Sequence, residues 1–451
     1  MNLGTFTERA GSRVVSVATG RSLVPAFGPL QGLRVVDTGR FVAGPWAATH
    51  LAEFGAEVIH VEAPPFHRPY ADPTRSLPPL LPEGAPAERS VSESWVQYSR
   101  NKLSLGLDLR DEEGRVIFLD LLRCSDIWIE SSRPGTFDKL GLSDGAVLEA
   151  SPRLTVVHVS GYGQTGVAER LRAPSYDLVA QAYSGFLSLQ GPPAPAPPMR
   201  AGTALNDTVT GLAAAGAALM GHIASQRTGR GQVVDVAQYE VFFTLLENLA
   251  LDYFMRGVVR GRYGNAHQRL HPYDLMRARD GWVVLAAPSA EAWRKLKPLL
   301  GVTDPRWDDM AWRTAHREVI DPVLERFCSE RTVSELEQIG KAHDCAISRI
   351  YDIADIAEDP HYAARGMFVE WDDPVAGPVK GAGIAPRFVD TPGRVWRGAP
   401  WLGQDNARVL GELLGYPEER RAALKQRGVV GEDPPRGPAP ARSAPMEPGS
   451  P

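Results

Sequence analysis

Apolar residues in the first half of the chain fall into short unbroken runs, with helically spaced segments between them. Leu33 to Asp37 (LRVVD) predicts a buried strand, and Pro45 to Phe54 a helix with proline in its first turn and Gly55 past its end. Val58 to Glu62 (VIHVE) predicts the next strand. Strand, helix and strand in this order form a βαβ unit, whose crossover sets the strands parallel. The alternation continues with strands at Leu103 to Leu109, Asp126 to Glu130, Leu154 to Ser160 and Gln232 to Val236. Helices are predicted at Asp111 to Leu122, Tyr176 to Leu189 and about Asp207 to Ile223. Residues 63–92 are rich in proline and lack periodicity, which predicts a long irregular loop. Glu240 to Arg256 predicts one apolar helix, buried or interfacial. The character changes near Gly261. Tyr273 to Ala287 predicts a hairpin around Asp280-Gly281, and helical segments then run to about Ala364, as in a smaller α+β domain. Strand and helix signals return from Val379 to Leu414.

Composition narrows the classes of function. The chain has 451 residues, 43% hydrophobic and 23% charged, enough for several domains and a core that needs no staple. Acidic residues outnumber basic ones, 54 to 49, which excludes a general nucleic-acid binder, since that needs a basic excess. Three scattered cysteines, with no CxxC, exclude a disulfide framework and fit a reducing cytoplasm. No metal site is expected, because Pro272 breaks any helix joining His267 to His271. No apolar run suggests a membrane span, and the first 27 residues read as a tail without a signal peptide. Gly431 to Pro451, made of Pro, Ala, Gly and Ser, predicts a disordered end.

The candidate chemistry sits at strand ends. The first βα turn, Asp37 to Pro45, carries Gly39 and Gly44 but not the glycine spacing of a dinucleotide fingerprint. Arg100-Asn101-Lys102 precedes one strand, and Arg133-Pro134-Gly135 with Lys139 follows another. Ligands of open α/β sheets bind beyond the carboxyl ends of strands, so the second group reads as phosphate ligands, with solvated surface charge as the alternative. Asp207, just before an Ala-rich helix, is either a helix cap or first-turn acid, or a carboxylate nucleophile. Among ten tryptophans, Trp46 beside Ala43-Gly44-Pro45 is the one expected to face a ligand.

These residues resemble those of class III CoA-transferases, the family of formyl-CoA:oxalate and carnitine CoA-transferases and α-methylacyl-CoA racemases. The likeness runs through Leu30 to Asp37, Ala43-Gly44-Pro45, Leu51 to Glu62, Arg100 to Ser104, Arg133-Pro134-Gly135, Ser160 to Gly166, Tyr176-Asp177, Asp207 to Gly211 and Thr228 to Asp235. Pro386 to Phe388, Pro392 to Pro400 and the helix from Tyr239 look most like the carnitine branch. The resemblance implies an α/β fold with a large Rossmann-like parallel-sheet domain made from both chain ends. It also implies a smaller inserted α+β domain and an interlocked dimer. The expected bounds are a tail at 1–27, the large domain at 28–238 and 386–430, linkers at 239–262 and 354–385, the small domain at 263–353 and a tail at 431–451.

The resemblance further makes Asp207 the nucleophile, with no tightly bound cofactor and with acyl-CoA and a free acid as substrates. It places Arg133 and Lys139, and less firmly Arg100, Asn101, Lys102 and Ala43, at the CoA. Trp46, Tyr98, Tyr176 and Gly163 are the expected pocket residues, with Trp46 and Tyr98 ready for a carnitine-like acid. Two departures matter. Tyr176 stands where the racemases carry a histidine base, and Tyr263-Gly264-Asn265 stands where formyl-CoA transferases carry a glycine run. The competing readings are an acyl-CoA isomerase on the same fold and a non-catalytic subunit of a heteromeric transferase.

Overall fold

The computed structural model describes residues 22–86 and 89–434. They group into two compact units. Of the described residues, one holds those up to Ala180, then Gly202–Leu245, then 366–434; the other holds Gln181–Ala201 and Leu246–Arg365.

The first unit is built on a six-stranded sheet: β1 (Arg34–Asp37), β2 (Glu57–Glu62), β3 (Leu103–Gly106), β4 (Ile127–Glu130), β5 (Thr155–Ser160) and β6 (Gln232–Ala237). All pairings are parallel, in the order β3-β2-β1-β4-β5-β6, the doubly wound order of Rossmann folds. A sheet covered on both faces needs apolar residues on both, which is why its strands read as unbroken runs. Val36, Trp128 and Val156 pack on one face with Ile117 and Phe118 of α2 (Glu112–Arg123). Their neighbours Val35, Ile127, Ile129 and Val157 pack on the other. There they meet alanines of α1 (Ala43–Glu53) and α3 (Leu205–Thr228). Gly211 lets α1 and α3 approach closely: a Cβ there would lie 2.8 Å from the Ala43 carbonyl and 2.9 Å from Trp46. In length and composition α3 could cross a bilayer, but Ala214, Ala215 and Ala218 are buried in this core.

The second unit has its own core around Met276, Val283, Leu285, Trp293, Ile320 and Leu324. Its antiparallel sheet has the order β9-β8-β7, from β7 (Tyr273–Arg277), β8 (Trp282–Ala286) and β9 (Ala346–Arg349). The hairpin stands where the Asp280-Gly281 turn predicts it, whereas β9 occupies a stretch read as helical. The expected helix from Glu240 to Arg256 is two helices, Gln238–Thr244 and Leu249–Arg256, broken where Glu247 takes a φ of +51°. The break falls at the boundary between the units.

Several other expectations are corrected. Residues 181–201 group with the second unit, not with the sheet. The expected linker at 354–385 contains a hairpin of β10 (Phe368–Asp373) and β11 (Gly377–Ala382), assigned to the first unit from Gly366 on. The first part of the expected 63–92 loop is held by polar contacts: Glu62 accepts from the Asp72 amide at 3.1 Å and from Arg75, and Asp72 accepts from the Thr74 amide. Both expected tails begin inside the fold. Leu23 is buried in the core, with Ser22 bonded to Glu57 at 3.1 Å. At the other end the Gly431 amide donates to the Gly106 carbonyl at 3.1 Å, and the Asp433 amide to that of Leu402 at 2.8 Å. Backbone groups paired this way extend the order past a composition that looks unstructured. Residues 1–21 and 435–451 of the expected tails lie outside the described residues.

Candidate active site

In an open α/β sheet, ligands bind beyond the carboxyl ends of the strands, where the strand order reverses. Here the reversal lies between β1 and β4, and a cleft of about 470 Å³ opens at that place. Its walls are Arg40 to Ala43 after β1, Ser131 to Pro134 with Thr136 after β4, and Ser160 to Gly163 at the end of β5. Tyr176, Asp207 and Gln238 complete the residues with chemistry to offer.

Asp207 is the third residue of α3 and is half-buried. It caps nothing. The helix N-terminus is capped by Asp177, whose Oδ1 accepts from the Asn206 amide at 2.8 Å and the Asp207 amide at 3.2 Å. The Asp207 carboxylate instead faces the cleft, where its Oδ1 accepts from the Gln238 side-chain amide. Burial pushes its pKa up to about 7. The nearby Asp177 charge pushes the same way, and the Gln238 hydrogen bond opposes both. Among the described lining residues Asp207 is the single carboxylate, with Arg40 and Arg133 the two guanidinium groups.

Around it the backbone is tightly folded. Gly161 must be glycine, because a Cβ there would lie 2.2 Å from the Ser175 Cβ. Gly163 has a φ of +86° and donates to Ser160 Oγ at 2.9 Å. Asp235 accepts the next amide, Gln164, at 2.7 Å. Ala43 opens α1, where no side chain caps the end and the Ala43 and Gly44 amides find no acceptor within the helix and suit an anion. The turn after β4 is held from below. Glu130 accepts the Ser132 amide at 2.6 Å and meets His158, which also meets Asp144 at 2.9 Å.

The expected site residues thus divide. Asp207, Ala43, Gly163, Tyr176 and Arg133 all line the cleft. Tyr176 is exposed, edge-on to Phe41 at 5.9 Å. Lys139 is exposed in the short turn Asp138–Leu140 and lies outside the cleft lining. Trp46 and Tyr98 also lie outside that lining and pack on each other with centroids 5.4 Å apart. Burial raises the Tyr98 phenol, and the Asp207 charge adds to it.

The Arg100-Asn101-Lys102 triplet does not meet the expectation of phosphate ligands, because the fold uses all three side chains. Arg100 is buried against Glu53 at 2.7 Å and donates to the Ala382 carbonyl. Asn101, also buried, donates to the Arg394 carbonyl at 2.7 Å and accepts the Trp396 amide. Lys102 is wholly buried, bonded to Asp37 at 2.9 Å and to the Pro45 carbonyl at 2.8 Å. Burial alone would raise the Asp37 carboxyl, and Lys102 with His60 holds it well below its ordinary range. A linear sequence shows a basic run but not which carboxylates the fold brings to it.

Sequence reading missed Gln238, Arg40 and the cleft-lining serines. For Gln238, Arg40, Ser131, Ser132 and Ser160 the one legible signal is position, at or just past the carboxyl end of a strand that the sequence predicts; Ser175 has none.

Fold and cleft together define a doubly wound α/β enzyme with a carboxylate at the strand-order reversal. The family model for CoA-transferase family III matches residues 30–406, and the chain belongs to this family. It is 37% identical over 422 residues to the bile acid CoA-transferase BaiK of Clostridium scindens, covering 91% of this chain and 92% of that protein. It is 33% identical to the succinyl-CoA–L-malate CoA-transferase alpha subunit of Chloroflexus aurantiacus, covering 89% and 92%. A crystal structure of a CAIB/BAIF family protein from Brucella suis superposes with a TM-score of 0.74 at 31% identity, covering 86% of this chain and all of that one. The protein is an enzyme of the class III CoA-transferase family.

Proposed function

We propose that the enzyme moves CoA from an acyl-CoA to a free carboxylic acid through covalent intermediates on Asp207. The observation that carries this reading is the state of that carboxylate: facing the cleft, raised to about 7, and free of the capping role that Asp177 performs. A carboxylate of that basicity is ionised in roughly half the molecules at neutral pH and is a stronger nucleophile when ionised. Asp207 attacks the donor thioester and releases CoA thiolate, leaving a mixed anhydride. The thiolate attacks the aspartyl carbonyl of that anhydride, releasing the first acid and leaving an aspartyl-CoA thioester. The acceptor carboxylate then runs the two steps in reverse.

Arg133 at the cleft and Lys139 beyond it supply positive charge for the CoA phosphates. The acceptor is an acid without a positive charge. Arg40 and Arg133 face a cleft whose one described carboxylate is the nucleophile, which disfavours a trimethylammonium group there. The aromatic pair Trp46 and Tyr98 suits a carnitine-like acid but lies outside the cleft lining. Tyr176, in place of an imidazole, disfavours the racemase reading.

The assembly is a homodimer. Leu212, Met220 and Ile223 of α3 are exposed, as are Leu251, Phe254 and Met255 in the second unit. Apolar residues grouped on helix faces mark surfaces that a partner covers.

Asp207→Asn tests the chemistry with almost no change of shape. It should abolish transfer, because a neutral amide is a very poor nucleophile. Wild-type protein given acyl-CoA without acceptor should carry a covalent adduct on the Asp207 peptide by mass, and the variant none. More than a few per cent of wild-type rate, with deamidation excluded by mass, would place the chemistry elsewhere.

A further inference from the structure

We propose that Gln238 is a catalytic residue: its side-chain amide is the donor that stabilises negative charge on Asp207 Oδ1 whenever Asp207 Cγ is attacked. This rests on Asp207 being the nucleophile. Gln238 follows the last residue of β6 directly and opens the helix Gln238–Thr244, so sheet and helix both fix its backbone. It is buried, and its own carbonyl accepts from Asn206 Nδ2 at 3.4 Å. Its side-chain Oε1 faces the Ser175 hydroxyl at 3.4 Å, which leaves Nε2 directed at Asp207 Oδ1. Gln238 also lines the cleft, so the bond lies at the reacting group.

Oδ1 is the oxygen that this chemistry loads with charge. Asp207 attacks the donor thioester through Oδ2, so Oδ2 becomes the bridging oxygen of the anhydride and Oδ1 its aspartyl carbonyl oxygen. When CoA thiolate attacks Cγ, a C–S bond forms and the carbonyl π pair moves onto Oδ1. The tetrahedral intermediate collapses, the Cγ–Oδ2 bond breaks, and the first acid leaves as its carboxylate. The acceptor carboxylate then attacks Cγ of the aspartyl thioester; the pair moves onto Oδ1 again, and CoA thiolate is expelled. No proton has to be supplied.

A free carboxylate spreads one charge over two oxygens, whereas the tetrahedral oxyanion places it on one. A fixed N–H donor therefore binds the transition state more strongly than the resting state. The same amide meets a neutral carbonyl oxygen in the anhydride and thioester, which it polarises for attack. Seated before the reaction begins, it needs no reorganisation.

Gln238→Met keeps similar bulk and removes the N–H. It should lower kcat about 10²–10³-fold, the usual loss for one oxyanion donor, with KM for acyl-CoA within a few-fold. In single turnovers without acceptor, the Asp207 peptide should carry more acyl adduct and less CoA thioester than in wild type, because the step at Cγ is the one slowed. Gln238→Leu, which also lacks the donor, should show the same pattern and serves if the Met variant is unstable. A kcat within about threefold of wild type in a folded variant, or a loss confined to KM, would overturn the proposal while an inactive Asp207→Asn leaves the nucleophile standing. An active Asp207→Asn would remove both.

Discussion

Asp207 shows how much one side chain depends on its surroundings. Nothing in the sequence near it predicts a carboxyl raised to about 7; the fold buries it and brings Asp177 and Gln238 to it from two other segments. The consequence for pH has a definite sign. In the proposed mechanism transfer needs the ionised carboxylate, so kcat/KM for acyl-CoA should fall as pH drops through about 7. The Asp177 charge pushes that value up, and Asn in its place still offers an oxygen to the helix amides. Asp177→Asn should therefore move the acid limb of the profile to lower pH, with the folded state retained. A limb that stays in place would mean that another group sets it.

At the scale of elements, α1 and α3 bring their N-terminal ends to one cleft because Gly211 lets them touch. Gly211→Ala puts a methyl within 3 Å of the Ala43 carbonyl and the Trp46 ring, so the helices must part by a few tenths of an ångström or more. The expected cost is about 1–3 kcal/mol in denaturant unfolding, the usual range for overpacking, with a drop in kcat because Asp207 lies one turn away. Unchanged stability and rate would show that the two helices slide freely. The strand runs and the helices between them are legible in the sequence, since a sheet buried on both faces requires unbroken apolar stretches. The fate of Arg100-Asn101-Lys102 is not, because Glu53, Arg394 and Asp37 reach these residues only through the fold.

For the whole molecule, the exposed apolar residues of α3 and of the second unit are the feature a single chain leaves unexplained. If a second copy covers them, Met220→Glu combined with Phe254→Glu should convert two chains to one in light scattering and lower the melting temperature. A wild-type protein that runs as a single chain at micromolar concentration would contradict the homodimer at once.

By itself the sequence determined the α/β class, five of the six parallel strands to within a residue at either end, and the turn at Asp280-Gly281, and it offered Asp207 as a candidate nucleophile. Each of these is written in neighbouring residues: apolar runs, a turn dipeptide, a motif of fixed spacing. The tertiary structure alone decided that Asp177 caps α3 while Asp207 faces the cleft. It alone placed Gln238 against the carboxylate, sent 181–201 to the second unit and drew Leu23 and Gly431 into the first. Those outcomes depend on hydrogen bonds and packing between segments tens to hundreds of residues apart, and local patterning carries no record of which distant group arrives.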